Sequence, residues 1–140
     1  KAYITENCVG CARCIGVCPE GAIEINYDAS SENIQKKMGE YAYGVKSSFD
    51  SRMLYINVIT NVAPGCDCDP ANDEPLVPDI GFLASTDPVA IDRASYDLVK
   101  QANGGSDPFR EFYPHLNPTI QLDYAGEIGL GNNDYKLIEV

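Results

Sequence analysis

A chain of 140 residues, 44% hydrophobic and 22% charged, can bury a core. That excludes a disordered tail and fits one domain, or one domain with a small appended module. Ten basic against 21 acidic residues leave a net charge of −11, which argues against nucleic acid and anionic membrane surfaces as main partners because both would repel it.

The longest apolar run falls far short of the ~18–20 residues of a membrane span. Six cysteines are too many to be incidental and too few for a disulfide scaffold. The chain begins at Lys1 with neither an initiator Met nor a signal-peptide pattern, so a piece of a larger, cytoplasmic protein is expected. Charge is unevenly placed: residues 1–62 hold six basic and seven acidic side chains, and residues 63–140 hold four and 14.

In chain order, Lys1 to Thr5 reads as a short strand, followed by a cysteine-rich loop and a helical turn closed by Pro19. Ala22 to Tyr27 reads as a second strand. Ser30 and Ser31 are candidate caps for a helix on which Ile34, Met38, Tyr41, Ala42 and Val45 recur at helical spacing. Arg52 to Thr60 is rich in β-branched and aromatic residues and reads as a buried strand. Residues 63–79, with four prolines, read as a loop, and Ile80 to Ala84 as a short apolar strand.

Asp87-Pro88 is a strong helix start: the carboxylate caps, and proline fills a position that needs no N–H. Ile91, Ala94, Ser95, Leu98 and Ala102 form that helix's inner stripe, and Asn103-Gly104 ends it. Ser106-Asp107-Pro108 repeats the capping chemistry. Asn117-Pro118 opens a third helix, with Ile120, Tyr124 and Ile128 inward and Gly129 as its stop, and Tyr135 to Val140 reads as a last strand. Strands alternating with helices predict an α/β layer structure with parallel pairs, a mixed α+β arrangement being the alternative.

Cys8, Cys11, Cys14 and Cys18 read C-x2-C-x2-C-x3-C, with Pro19 directly after. This is the bacterial-ferredoxin run for cubane iron–sulfur clusters. Two-residue gaps let a tight loop aim successive thiolates at neighbouring corners of one cube. Gly10 allows close backbone approach, and Pro19 ends the turn carrying Cys18. Blander origins fit less well. Incidental core cysteines do not fall at four such spacings, local disulfides lack the geometry, and zinc sites usually come as two separated pairs.

In two-cluster ferredoxins the fourth cysteine of such a run serves the other cluster. On that logic Cys8, Cys11 and Cys14 share one cube whose fourth ligand is Cys66 or Cys68, in Pro64-Gly65-Cys66-Asp67-Cys68-Asp69-Pro70. In a local variant Cys18 closes its own cube. Two complete sites need eight cysteines and the chain has six, so one 4Fe–4S cluster is expected, with a second open if other groups or missing sequence complete it. The segment from Cys66 to Asp79 is acidic without a basic residue; it reads either as a solvated loop or as a metal loop mixing thiolates with carboxylates.

Other candidates weigh less. Ser85-Thr86-Asp87-Pro88 sets a helix start at a strand's end, where α/β folds bind substrates, although plain capping accounts for it. Asp92 and Arg93 read as a solvated pair, and His115, the single histidine, as a loop residue. No nucleotide loop, Ser–His–Asp set or paired-carboxylate signature stands out.

Residues 1–27 resemble a bacterial-type ferredoxin half-motif. Beyond Tyr27 the chain is similar to the C-terminal part of the DUF362 family of iron–sulfur proteins. The resembling stretches are Lys37-Met38-Gly39-Glu40-Tyr41-Ala42, Tyr55-Ile56-Asn57, Cys66-Asp67-Cys68, Val77-Pro78-Asp79-Ile80-Gly81 and Ala84-Ser85-Thr86-Asp87-Pro88-Val89-Ala90-Ile91-Asp92. The resemblance implies a ferredoxin segment, 1–27, joined to an α/β domain, 28–140, as the C-terminal half of a longer protein. It supplies a cofactor and no reaction.

The function expected is therefore single-electron transfer through a 4Fe–4S cluster, with a redox partner protein or the missing N-terminal half of the same protein as partner. Two alternatives stand beside it. One is an oxidoreductase half-site with a pocket near Thr86, Asp87 and the 66–79 loop. The other is a structural or regulatory cluster without turnover.

Overall fold

The computed structural model describes residues 4–8, 11–24, 27–49, 53–65 and 73–140. They form helices α1 (Arg13–Val17), α2 (Tyr27–Ser47), α3 (Pro88–Ala102), α4 (Pro108–Phe112) and α5 (Ile120–Glu127), and strands β1 (Tyr55–Ile59) and β2 (Gly81–Ser85). Mixed helix and strand of this kind is a small α/β domain. The chain divides into two compact units, Lys1–Ser30 and Ser31–Val140.

The first unit holds α1 and the cysteine run. Among its residues whose burial is described, none is buried; Ile4 and Val17 are each 68% exposed. Units this small rarely stand on apolar packing alone and usually need a metal, a disulfide or a partner. The expected first strand is absent at residues 4–5, its remainder lying outside the described residues. The second is irregular over 21–24, residues 25–26 lie outside the description, and Tyr27 already begins α2.

The second unit carries the core. β1 and β2 pair antiparallel, Asn57 opposite Leu83 and Val58 opposite Phe82. The expected parallel pairing is corrected here. The described parts of the connection between the strands contain no helix, and without a helical crossover neighbouring strands run antiparallel. One face of the pair packs on α3, where the Asn57 amide donates to Asp92 Oδ1 at 2.8 Å and to Ser95 Oγ at 2.9 Å. Ile59, Val77 and Val99 form one buried cluster with Leu76, Leu83 and Phe109 against it; Val89, Ala125 and Leu130 form a second.

Local chemistry explains the α3 boundaries. Asp87 Oδ1 accepts the N–H groups of Val89 (2.9 Å) and Ala90 (3.0 Å), and Pro88 opens the first turn. At the other end Gly104 and Gly105 take positive φ and donate to the carbonyls of Gln101 and Lys100, the doubled closure that glycine permits. Asp107 caps α4 in the same way, bonding Phe109 and Arg110. α5 starts at Ile120, later than expected, because Asn117 Oδ1 holds the Thr119 N–H (3.2 Å) in a preceding turn.

Two burial expectations change. On α3, Val89 and Val99 join Ile91 and Ala94 inside, while Ala102 is exposed. On α2, the stripe Ile34, Met38, Tyr41, Ala42 and Val45 is exposed, and among the helix residues whose burial is described Gly39 is the buried position. A methyl at Gly39 would already touch Tyr124 and Ala125 of α5 (3.7 and 3.8 Å), so α2 meets α5 through backbone proximity at a glycine and through polar side chains, Tyr124 donating to Glu40 at 3.1 Å and Lys46 to the Leu130 carbonyl just beyond α5. The expected last strand, Tyr135–Val140, has no regular structure.

Candidate functional site

The cysteine run is built from a turn, a short helix and a second turn. The Cys8 N–H donates to the Thr5 carbonyl at 3.1 Å. Ala12 precedes α1 in the left-handed region (φ 57°), where its carbonyl accepts the Ile15 N–H at 3.0 Å. Cys14 lies in α1, and Cys18 leaves it in extended conformation ahead of Pro19. The chain then reverses through a Gly21 N–H bond to the Cys18 carbonyl (3.2 Å), with Gly21 at φ +57°.

Cys8, Cys11 and Cys14 are exposed and Cys18 is half-buried; Cys11, Cys14 and Cys18 are free thiols. Backbone N–H groups of Ala22 and Glu20 bond to the Cys18 sulfur and hold its thiol below the ordinary cysteine value. Thiolate is the form that binds metal. The donor set therefore suits a soft metal centre in chemistry and access. Among the described residues, no three His, Cys, Asp or Glu side chains stand together as a metal-binding group. Cys66 and Cys68, with Asp67 and Asp69, lie outside the described residues.

The second candidate, Thr86 and Asp87, is a structural junction. The Asp87 N–H donates to Ser85 Oγ at 3.0 Å, and Asp87 Oδ1 caps α3. Its Oδ2 accepts the Asn132 backbone N–H (3.0 Å) and side-chain amide (3.3 Å). A side chain at Gly131 would collide with that carboxylate. Four donors thus occupy Asp87, while Thr86 is exposed in the turn before it. Plain capping, extended to a second loop, is what this motif does here.

Asp92 and Arg93 do not pair with each other. Asp92 takes Asn57 from β1, whereas Arg93 pairs with Asp123 and donates twice to Asn133 Oδ1, from Nε at 3.0 Å and Nη2 at 2.9 Å. Asn132 and Asn133 carry contacts the sequence did not single out, and Asn57 stands only within a resembling stretch. Nothing local marks their bonds to Asp87, Arg93 and Asp92, which lie 35 to 45 positions away; the Asn133 amide also donates to the Leu122 carbonyl at 3.2 Å. His115 is exposed in the turn after α4.

Residues 6–97 match the family described as a domain of unknown function, DUF362. The chain belongs to the DUF362 family. No curated protein and no solved structure matches it. The DUF362 match takes in the cysteine run, both strands and most of α3, so in this chain the family's region spans both compact units. Among the described residues no helix is long and apolar enough to cross a membrane.

Proposed function

We propose that this DUF362 chain holds a 4Fe–4S cluster on Cys8, Cys11 and Cys14 and on a fourth thiolate from Cys18, Cys66 or Cys68, and that it passes single electrons to a redox partner protein. The observation that carries the reading is the joint one. Four cysteines at ferredoxin spacing sit in a unit whose described residues bury nothing, and three of them are exposed. Such a unit lacks an apolar core and carries the donor set for an inorganic one. Binding of this kind is coupled to folding, so the run from Cys8 to Cys18 closes around the cube as it loads. The cluster, when bound, supplies one-electron chemistry. The protein supplies the thiolates, the backbone N–H groups near Cys18, and access from solvent.

The missing core favours a second reading, in which the cluster holds residues 1–30 together without turnover. Anaerobic purification with iron and sulfide counts, followed by a redox titration read by electron paramagnetic resonance, tests both. Four irons and four sulfides per chain with reversible one-electron reduction support the carrier. The same counts without reversible reduction leave the structural reading, and zinc without sulfide rejects both. Single serine substitutions of Cys18, Cys66 and Cys68 identify the fourth ligand as the one whose loss abolishes the visible absorbance.

A further inference from the structure

β2 contains Phe82, Leu83 and Ala84 and no charged residue or proline, so both of its faces are apolar. That is the composition of a strand with neighbours on either side, and it lacks the charges or prolines that protect a natural sheet edge. It has one neighbour, β1. Among the described residues no backbone hydrogen bond engages its other edge. Phe82 is 75% exposed, and Ile56 and Val58 beside it are 61% and 58% exposed.

A groove of about 450 Å³ adjoins this strand. Phe82 and Leu83, from opposite faces of β2, both line it, and β1 contributes only Ile56, so the groove follows the edge turned away from β1. Ile91 and Ala94 of α3 form its floor, and residues 135–138 and Val140 form its far wall. That wall reads as a strand in sequence, yet among the described residues its backbone bonds to nothing, and Leu137 and Ile138 are 53% and 70% exposed. Tyr135 anchors it to α3 through a 3.0 Å bond to Asp97.

We propose that this groove is a strand slot: it receives an extended segment of a different polypeptide, which adds to the open edge of β2 as a third strand. The edge offers amides and carbonyls at the strand repeat, which only another main chain can satisfy in series. The lining holds one charged side chain, Lys136, so the inserted stretch is uncharged and apolar on both faces. Over 63–140 the chain holds 14 acidic and four basic residues, Lys136 among the latter, so outside the groove it is strongly acidic and the segment carries lysine or arginine at its ends. A second copy is the poorer occupant, because it brings the same net charge of −11 with it.

The test uses the full chain and a blocked synthetic peptide, Lys-Lys-Val-Ile-Val-Ile-Val-Lys, followed by fluorescence anisotropy and by hydrogen exchange at the β2 amides. The expected result is saturable binding that weakens with salt, with exchange at residues 82–85 slowed tenfold or more. Phe82→Glu, at an exposed position that leaves the core intact, weakens binding at least tenfold. A peptide with proline at two central positions, which removes backbone donors, fails to bind. The proposal is overturned if the peptide does not bind, if the proline peptide binds equally well, if protection falls elsewhere, or if the chain alone forms a dimer that shields residues 82–85. None of these outcomes depends on iron, so they stand apart from the cluster assignment.

Discussion

Asp87 ties the start of α3 to the 131–132 loop, and Asp87→Ala should expose that. The substitution removes two cap bonds to α3 and two bonds to Asn132. Losing an aspartate cap costs about 1 kcal/mol. Losing a charge-assisted bond to a backbone amide costs about 1.5 kcal/mol at the low end appropriate to a half-buried group. Overlap between the two leaves an expected loss of about 2–3 kcal/mol, which in a unit of this size lowers the melting temperature by roughly 10 °C. Thermal and urea unfolding followed by far-ultraviolet circular dichroism measure it. The geometry makes a sharper demand through Gly131. A methyl there would overlap the Asp87 carboxylate and stand 3.0 Å from Val89 Cβ, an overpacking worth about 1–3 kcal/mol. In the Asp87→Ala background most of that collision is gone, so Gly131→Ala should cost at least ~1 kcal/mol less than in the parent. Equal costs in the two backgrounds would refute the claim that this carboxylate ties the start of α3 to the 131–132 loop.

Ile59, 5% exposed between Val77 and Val99, should cost about 2–5 kcal/mol when cut to alanine, read from the urea midpoint at unchanged slope. Gly39→Ala fits in ordinary contact with Tyr124 and Ala125 and should be neutral or stabilise by up to ~1 kcal/mol, while Gly39→Leu should pry α2 from α5 and speed proteolysis of α2. Tyr96 donates to Asp107, and burial, then that bond, raise its phenol well above the ordinary tyrosine value. A raised acid favours the folded state below its unfolded pKa of about 10 and loses that contribution as pH climbs toward the folded value. Tyr96→Phe should therefore flatten the loss of stability above about pH 10 in alkaline unfolding curves; an unchanged alkaline limb would contradict the assignment.

Much of the chain was legible where the determining interactions are short. The Asp87-Pro88 and Asp107-Pro108 caps close bonds two and three residues ahead, so their residue types announce them. Asn103-Gly104 and Gly129 end helices through local left-handed turns. The turn carrying Cys14 and Cys18, closed by Pro19, is where the spacing placed it. β1 and β2 lie within the expected strands to within a few residues.

The candidate site divides along the same line. Spacing alone names Cys8, Cys11, Cys14 and Cys18 as a donor set, because two- and three-residue gaps set how thiolates can be presented whatever surrounds them. Spacing cannot say what Asp87 is for, since the second half of its bonding lies at Asn132, 45 positions away. It cannot turn α2, whose apolar stripe is outward because contact runs through Gly39, Glu40 and Lys46. Nor can it orient β1 against β2, or leave residues 135–140 beside a strand they do not pair with. Residue types alone announce the caps and the stops, which act within one or two turns of chain. Tertiary structure alone decided which faces are buried and which edge stays open, because packing is settled between residues that chain order keeps far apart.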